Sequence, residues 1–461
     1  MNNEQFQIKN NDILRNCFDL KTIKIIIPLA IPVIIENILQ VLLSTTDTYF
    51  AGKLNSNAIA AVGITSLIMN IYIAFFIAVG IGTTTIVSRN IGLNKPNKAA
   101  EAVKQSILLT VIISLIIGII SYIFADPILR ILGAKPEVLV YALPYFMAVA
   151  VPSVFLCLML VLSSALRGAG DTKIPMVVSL VANLINIILN YILIFGIWNF
   201  KGLGIVGGGL ATTIARIIAV IMLLTCLCKG KTIIKLNLFS KWIIDQKLLI
   251  SISRIGIPAG IEKLIMRFGQ LVYGAMIIAL GTSAYVAHNI AGTIESYSYL
   301  PAMGFGVAAA TMVGNNLGAN KPEEAKKFAL AANTLSTILM VIIGIFFFIA
   351  APFLVKVFTS DKEVQRLVVA VIRIIALFQP FLSLTLVISS ALQGAGDTKF
   401  PMYSTLIGIW GIRVVFGYLF SIIFDLGLVG IWLAYSLDII IRGILLLLRF
   451  LKDKWKSIKI S

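Results

Sequence analysis

SSALRGAGDTKIPM fills Ser163–Met176, and SSALQGAGDTKFPM fills Ser389–Met402, so twelve of fourteen letters recur 226 residues apart. The same offset relates IPVIIE at 31–36 to IPAGIE at 257–262, and GLNKP at 92–96 to GANKP at 318–322. Three anchors sharing one displacement describe a chain built from two copies of one unit.

Between the anchors the chain is apolar: 59% of its residues are hydrophobic and only 13% charged, with a mean hydropathy of +1.00. A soluble domain has about 45–50% and about 25%. Runs long enough for a helix to cross a bilayer, about 20 residues, divide into twelve spans. They lie near 24–52, 57–90, 102–125, 137–166, 173–198, 203–228, 250–280, 284–314, 324–350, 364–393, 399–424 and 427–450. None alternates with period two, which excludes a barrel and leaves helices. Six spans per copy is an even number, so both copies enter the membrane with one orientation, as parallel repeats. The expected fold is all-α integral membrane, with twelve transmembrane helices in two parallel six-helix repeats around a central cavity. Its expected parts are an N-terminal lobe over 1–228, a cytoplasmic basic linker over 229–249 and a C-terminal lobe over 250–461.

The net charge of +18 follows the same plan. With both termini cytoplasmic, and counting the end turns of each span, the inside segments hold 25 Lys and Arg. The outside segments hold seven: Lys53, Arg130, Lys135, Lys201, Lys356, Lys362 and Arg366. This is the positive-inside asymmetry, and it makes membrane lipid rather than nucleic acid the partner of the basic loops. The N-terminus has no cleavable-signal pattern and reads as a retained first helix. Cys17, Cys157, Cys226 and Cys228 form no metal spacing. His288 has no second ligand in sequence range and reads as an interior histidine, and Asp438 and Arg442, four apart on the last span, read as a pair. Without a nucleophile-and-base set or a dense acid cluster, an enzyme is not expected.

In this frame the repeated stretch is the cytoplasmic loop after the fourth and tenth spans. Gly168, Gly170, Gly394 and Gly396 provide for a tight turn with positive φ, Asp171 and Asp397 for a cap, and Pro175 and Pro401 for a first helical turn.

Duplication also sorts the polar residues, since those present in one copy alone are candidates for function. An intramembrane charge costs about 2.5–3.5 kcal/mol on insertion scales and needs a reason. Asp47, in the outer part of the first span, has Tyr273 as its counterpart; Asn186 and Asn190, one turn apart on the fifth span, have Ile412 and Phe416. A carboxylate and two amides on neighbouring helices make a hard-cation site or a proton acceptor. Glu36 and Glu262 are matched acids four residues after Pro32 and Pro258; facing a central cavity they would attract a cationic substrate, while being matched favours a scaffold role and Lys263 and Arg267 stand near enough in sequence to neutralise Glu262. Glu295, whose counterpart is Met69, is a third candidate, flanked by Tyr297 and Tyr299, with pairing to Lys263, Arg267 or Arg413 as the structural alternative. Gln379 is a weaker cavity-lining candidate, and Arg216 is the one intramembrane cation of the first copy.

ALRGAGDTK and ALQGAGDTK, VGNNLGANKPEEA after the eighth span and TTDTYFAGKL closing the first give the chain its family likeness. Over about residues 20 to 450 it resembles the multidrug and toxic compound extrusion (MATE) transporters. The resemblance implies a cation-coupled antiporter, driven by H⁺ or Na⁺ and without another cofactor, that exports organic cationic compounds by alternating access. It implies a monomer in a prokaryotic inner membrane. A flippase for a lipid-linked sugar is the alternative. In one branch of the family an acid at the Asp47 position couples with residues at the positions of Asn186 and Asn190 and with a sixth-span Thr, here Thr212 or Thr213, with Thr212 the better match. That branch has Asp where this chain has Asn190, so Asp47 would act alone. The family also bends the first helix at a proline fifteen residues before the acid, here Pro32, which lacks the backbone donor of a regular turn.

Overall fold

The computed structural model describes residues 19–197, 200–230, 232–238 and 240–458; Cys17 lies outside them. The described chain is almost wholly helical: α1 (Leu20–Leu54), α2 (Ser56–Gly92), α3 (Pro96–Ile123), a short α4 (Ala125–Ile131), α5 (Pro136–Ala150), α6 (Ser153–Gly168), α7 (Lys173–Phe195), α8 (Ile205–Cys228), α9 (Gln246–Ala279), α10 (Thr282–Gly318), α11 (Pro322–Lys356) and α12 (Lys362–Ala395). Then come α13 (Lys399–Leu406), a π-helical stretch over Ile407–Val414, α14 (Val415–Tyr418), a second π-helical stretch over Leu419–Ile423, and α15 (Gly427–Leu451). The one described sheet is a minimal hairpin that pairs Gly196 with Lys201 and Ile197 with Phe200.

Among the described residues nine helices are long and apolar enough to span, and α5 with α6, meeting at 45°, make a tenth. The other two expected spans are α9 and α10. They are long enough, but Arg254, Glu262, Lys263 and Arg267 interrupt one and His288, Asn289 and Glu295 the other.

Matched letters fold alike. Gly170 and Gly396 take φ of 87° and 92°, and Asn94 and Asn320 of the GLNKP and GANKP turns take 56° and 57°, a left-handed conformation that Asn tolerates better than most residues. Pro96 and Pro322 then open α3 and α11 in the first turn. The expectation for Gly168 and Gly394 is corrected, because neither has positive φ. Each is a close-approach residue. A Cβ on Gly168 would lie 2.8 Å from the carbonyl oxygen of Thr84, and one on Gly394 would strike the backbone of Ala310. Thr84 and Ala310 are themselves 226 apart.

The chain forms two compact units, one of residues 19–34 with 261–458, the other of residues 35–260. The changeovers fall inside α1 and α9 and not in the 229–249 linker, so the units differ from the lobes read from the sequence. The reason is local packing. In the first unit the start of α1 lies on α10, where a Cβ on Gly304 would meet the Ile34 side chain and the Ala30 carbonyl. In the second unit the start of α9 lies on α2, where a Cβ on Gly260 would sit 2.8 Å from the Ala78 Cβ. Ile34 and Gly260 are repeat counterparts, as are Ala78 and Gly304. Each contact therefore joins the first helix of one copy to the second helix of the other, with a glycine on one side of each. Such small-residue seams are how helices pack in lipid, where apolar contact alone does not draw them together. Both changeovers come two residues after a matched proline, Pro32 and Pro258.

Candidate functional site

In the unit of residues 35–260, the glycine run Gly207–Gly208–Gly209 sets the depth at which α8 meets its neighbours. A Cβ on Gly209 would strike Ala148 and Tyr145 of α5, and one on Gly207 would strike the backbone carbonyl of Leu193 on α7. Bare backbone here lets α8 close on α7 and brings Thr212, one turn further on, to the amides.

All four residues expected at a cation site converge. Asn190 Nδ2 donates to Asp47 Oδ1 at 2.9 Å and to Asn186 Oδ1 at 2.9 Å. Asn186 Nδ2 donates to Thr212 Oγ1 at 3.2 Å. The Thr212 hydroxyl has two acceptors, Asp47 Oδ2 at 3.3 Å and the Gly208 carbonyl at 3.1 Å. Asn186 and Asn190 are fully buried and Thr212 nearly so, while Asp47 keeps some exposure. Asn190 Oδ1 is buried with no hydrogen-bond partner among the described residues. Since an unmade buried hydrogen bond costs about 1–3 kcal/mol, that oxygen is an acceptor held in reserve. Arg216, one turn beyond Thr212, is near enough to interact with the Asp47 charge without forming an ion pair. Its nearness to Asp47 depends on which face of α8 meets α7, which the sequence by itself does not specify.

The matched acids have matched partners. Glu36, 2% exposed, forms an ion pair with Arg167 Nη1 at 3.1 Å. Glu262, in the unit of residues 261–458, accepts from Gln393 Nε2 at 2.9 Å and from Thr405 Oγ1 at 3.5 Å. Arg167 and Gln393 are one of the two positions at which the repeated fourteen-residue stretches differ. The first copy thus neutralises its acid with a guanidinium, and the second holds it with an amide and a hydroxyl.

Glu295 also lies in the unit of residues 261–458, away from the Asp47 group in sequence and in unit. Its Oε1 accepts from Tyr435 Oη at 2.5 Å, and the Arg413 guanidinium stacks 4.2 Å from the centre of the Tyr435 ring. The aromatic partner is therefore Tyr435, 140 residues away, and not Tyr297, which is exposed. Arg413, on the π-helical stretch, donates to Asp438 Oδ2 from Nε at 3.0 Å and Nη2 at 2.5 Å, and Arg442 adds a 3.2 Å contact to the same oxygen. The expected Asp438–Arg442 pair is thus one half of a triad. Gln379 is buried and donates to Ser298 Oγ at 3.1 Å. His288 sits between the rings of Tyr273 and Trp432. No cluster of three or more His, Cys, Asp or Glu suited to a metal ion occurs among the described residues.

Comparison with known proteins places this geometry in a family setting. The family model MatE matches residues 32–192 and again 258–419, once per repeat. A probable multidrug resistance protein NorM of Thermotoga maritima is 31% identical over 437 residues, covering 94% of this chain and 93% of that protein. The uncharacterized transporter YisQ of Bacillus subtilis is 28% identical, with 92% and 93% covered. Among solved structures, a MATE protein in its bent conformation superposes with a TM-score of 0.87 at 23% identity, covering 96% of this chain and 98% of that one. A MOP superfamily transporter from Pyrococcus furiosus, described as having a binding pocket of reverse polarity, gives 0.88 at 23%, covering 95% and 97%. At that identity the solved structures establish the fold alone.

Proposed function

The chain belongs to the MATE family, and from that premise we propose that it is a multidrug efflux antiporter, exchanging organic cationic compounds for H⁺ or Na⁺ bound at Asp47. The observation that carries this reading is the convergence of Asp47, Asn186, Asn190 and Thr212, residues that duplication has left in one copy only.

The Thr212 hydroxyl has one proton and two acceptors. With Asp47 ionised the proton points to Asp47 Oδ2. With Asp47 protonated, the acid donates to Thr212 Oγ1 and the hydroxyl turns to the Gly208 carbonyl, a change that needs no movement of heavy atoms. For Na⁺ the candidate donors are Asp47, Thr212 Oγ1 and the side-chain oxygens of Asn186 and Asn190, all hard oxygens, with the Asn190 amide turning to present Oδ1 in place of the Nδ2 that now faces Asp47. Either ion removes the negative charge of Asp47 near Arg216 and alters the cost of bending α1 about Pro32. Exchange requires that ion and drug favour different conformations, because a ligand that binds both equally shifts neither. Glu262 remains as an attractor for a cationic drug, since its direct hydrogen-bond partners are uncharged, whereas Glu295, held by Tyr435, already interacts with the charge of Arg413 and is the weaker candidate. Glu36 is occupied by Arg167 and belongs to the scaffold.

The test is export of a cationic dye from membrane vesicles under an imposed Na⁺ or H⁺ gradient. Wild-type protein responds to one of the two gradients, and Asp47→Asn falls to the rate of empty vesicles. Gradient-driven export by the Asp47→Asn protein would remove Asp47 from the mechanism.

A further inference from the structure

Where α11 ends and α12 begins, the two helices leave an open groove of about 520 Å³. Its charged lining is entirely basic: Lys356 from α11, and Lys362, Arg366 and Arg373 from α12. The α12 residues recur at i, i+4 and i+11, which places them on one face. Val369 and Ala370 of α12 and Pro352 of α11 supply apolar lining beside them. All four cations are exposed, and none is in an ion pair among the described residues. The two acids at this end are engaged elsewhere. Asp361 caps α12 through the backbone amides of Glu363 and Val364, and Glu363 accepts from Ser283. Arg373, three turns down from Lys362, is steadied against the Phe348 ring at 5.4 Å.

Four unneutralised cations at one spot repel one another, and on a transporter whose outer segments are poor in charge the concentration needs a cause. In the topology proposed from the charge distribution, Lys356, Lys362 and Arg366 are three of the seven basic residues on the outer side. The apolar surroundings identify the kind of anion. Ile345, Ile349 and Phe353, spaced four apart on α11, are 57%, 68% and 72% exposed, which in a spanning helix means a face turned to acyl chains. A ligand that satisfies both surfaces carries phosphate at one end and hydrocarbon at the other.

We propose that this groove is a binding site for the phosphodiester headgroup of an anionic phospholipid, its acyl chains lying along the Ile345–Ile349–Phe353 face. Basic pockets between spanning helices are suited to such headgroups, and the long stems of Lys and Arg let the charge rise to meet a phosphate while the stem stays in the apolar layer. The site is independent of Asp47 and of the transport cycle proposed above.

Native mass spectrometry of detergent-purified protein, supplied with phosphatidylglycerol or phosphatidylcholine in equal amounts, tests it. The wild type retains the anionic lipid over the zwitterionic one by about tenfold or more. A Lys362→Gln, Arg366→Gln, Arg373→Gln protein loses the preference, and a Lys53→Gln, Arg130→Gln, Lys135→Gln protein, equal in net charge, keeps it. Equal retention of the two lipids by wild type overturns the proposal, as does loss of preference in both variants, which would mean that total charge and not the groove selects the lipid. If millimolar inorganic phosphate displaces the retained lipid, the groove is a free-anion site and the lipid assignment is wrong.

Discussion

Glu36 and Glu262 occupy the same position in the two copies, yet they differ in what would happen if the partner were removed. Glu36 is 2% exposed against Arg167, so Arg167→Ala strands a carboxylate in the helix layer. Breaking a buried pair from one side costs about 3–5 kcal/mol. The second copy suggests the remedy: Arg167→Gln installs the partner that Glu262 already uses, and Glu36→Gln in the same chain removes the remaining charge. In thermal unfolding of detergent-purified protein, Arg167→Ala is expected to melt well below wild type, and the Glu36→Gln, Arg167→Gln double variant to recover most of the loss. If the double variant melts no higher than Arg167→Ala, charge imbalance is not what the pair controls. At this scale the sequence distinguished the two copies well. Asp47, Asn186 and Asn190 were legible because duplication supplied an internal reference, and Thr212 because of the family likeness; the structure brings all four to one place. Tyr435 was not legible as the partner of Glu295, because 140 residues separate them and no local pattern records that distance.

The helices themselves followed from hydropathy, and their ends from Pro, Gly and Asn in the two matched turns. What hydropathy did not reveal was the role of individual glycines within them. Gly168 looked like a turn residue because it sits beside Gly170, but its φ is ordinary and its missing Cβ makes room for the backbone of α2. The same reasoning yields a prediction for the seam between α9 and α2. Gly260→Ala places a methyl group 2.8 Å from the Ala78 Cβ, an overpacking worth about 1–3 kcal/mol. Because the obstruction is a side chain and the next nearest atom is 3.8 Å away, Ala78→Gly in the same chain is expected to restore most of the stability. A double-mutant cycle on unfolding temperature measures this; simple additivity of the two changes would show that the seam has other constraints.

For the molecule as a whole, the orientation we propose from the charge distribution has the linker in the cytoplasm and the α11–α12 turn outside. In a chain whose cysteines have been replaced, a single cysteine at Thr359 is expected to react with a membrane-impermeant maleimide added to intact cells, and one at Ser240 only after the membrane is opened. The opposite pattern would invert the topology and, with it, the leaflet assigned to the basic groove. The sequence by itself determined the class, the number of spans, the duplication and the family likeness, and it singled out Asp47 as the acid proposed for coupling. All of these depend on composition and on spacing along the chain, which survive without knowledge of what touches what. Only the tertiary structure decided where the compact units begin. They change over inside α1 and α9, just after Pro32 and Pro258, because the first helix of each copy packs on the second helix of the other through a glycine seam. A size-matched contact between residues hundreds of positions apart leaves no periodic trace in either partner. For the same reason the Arg413–Asp438–Arg442 triad and the partner of Glu295 emerged only once the helices were brought together.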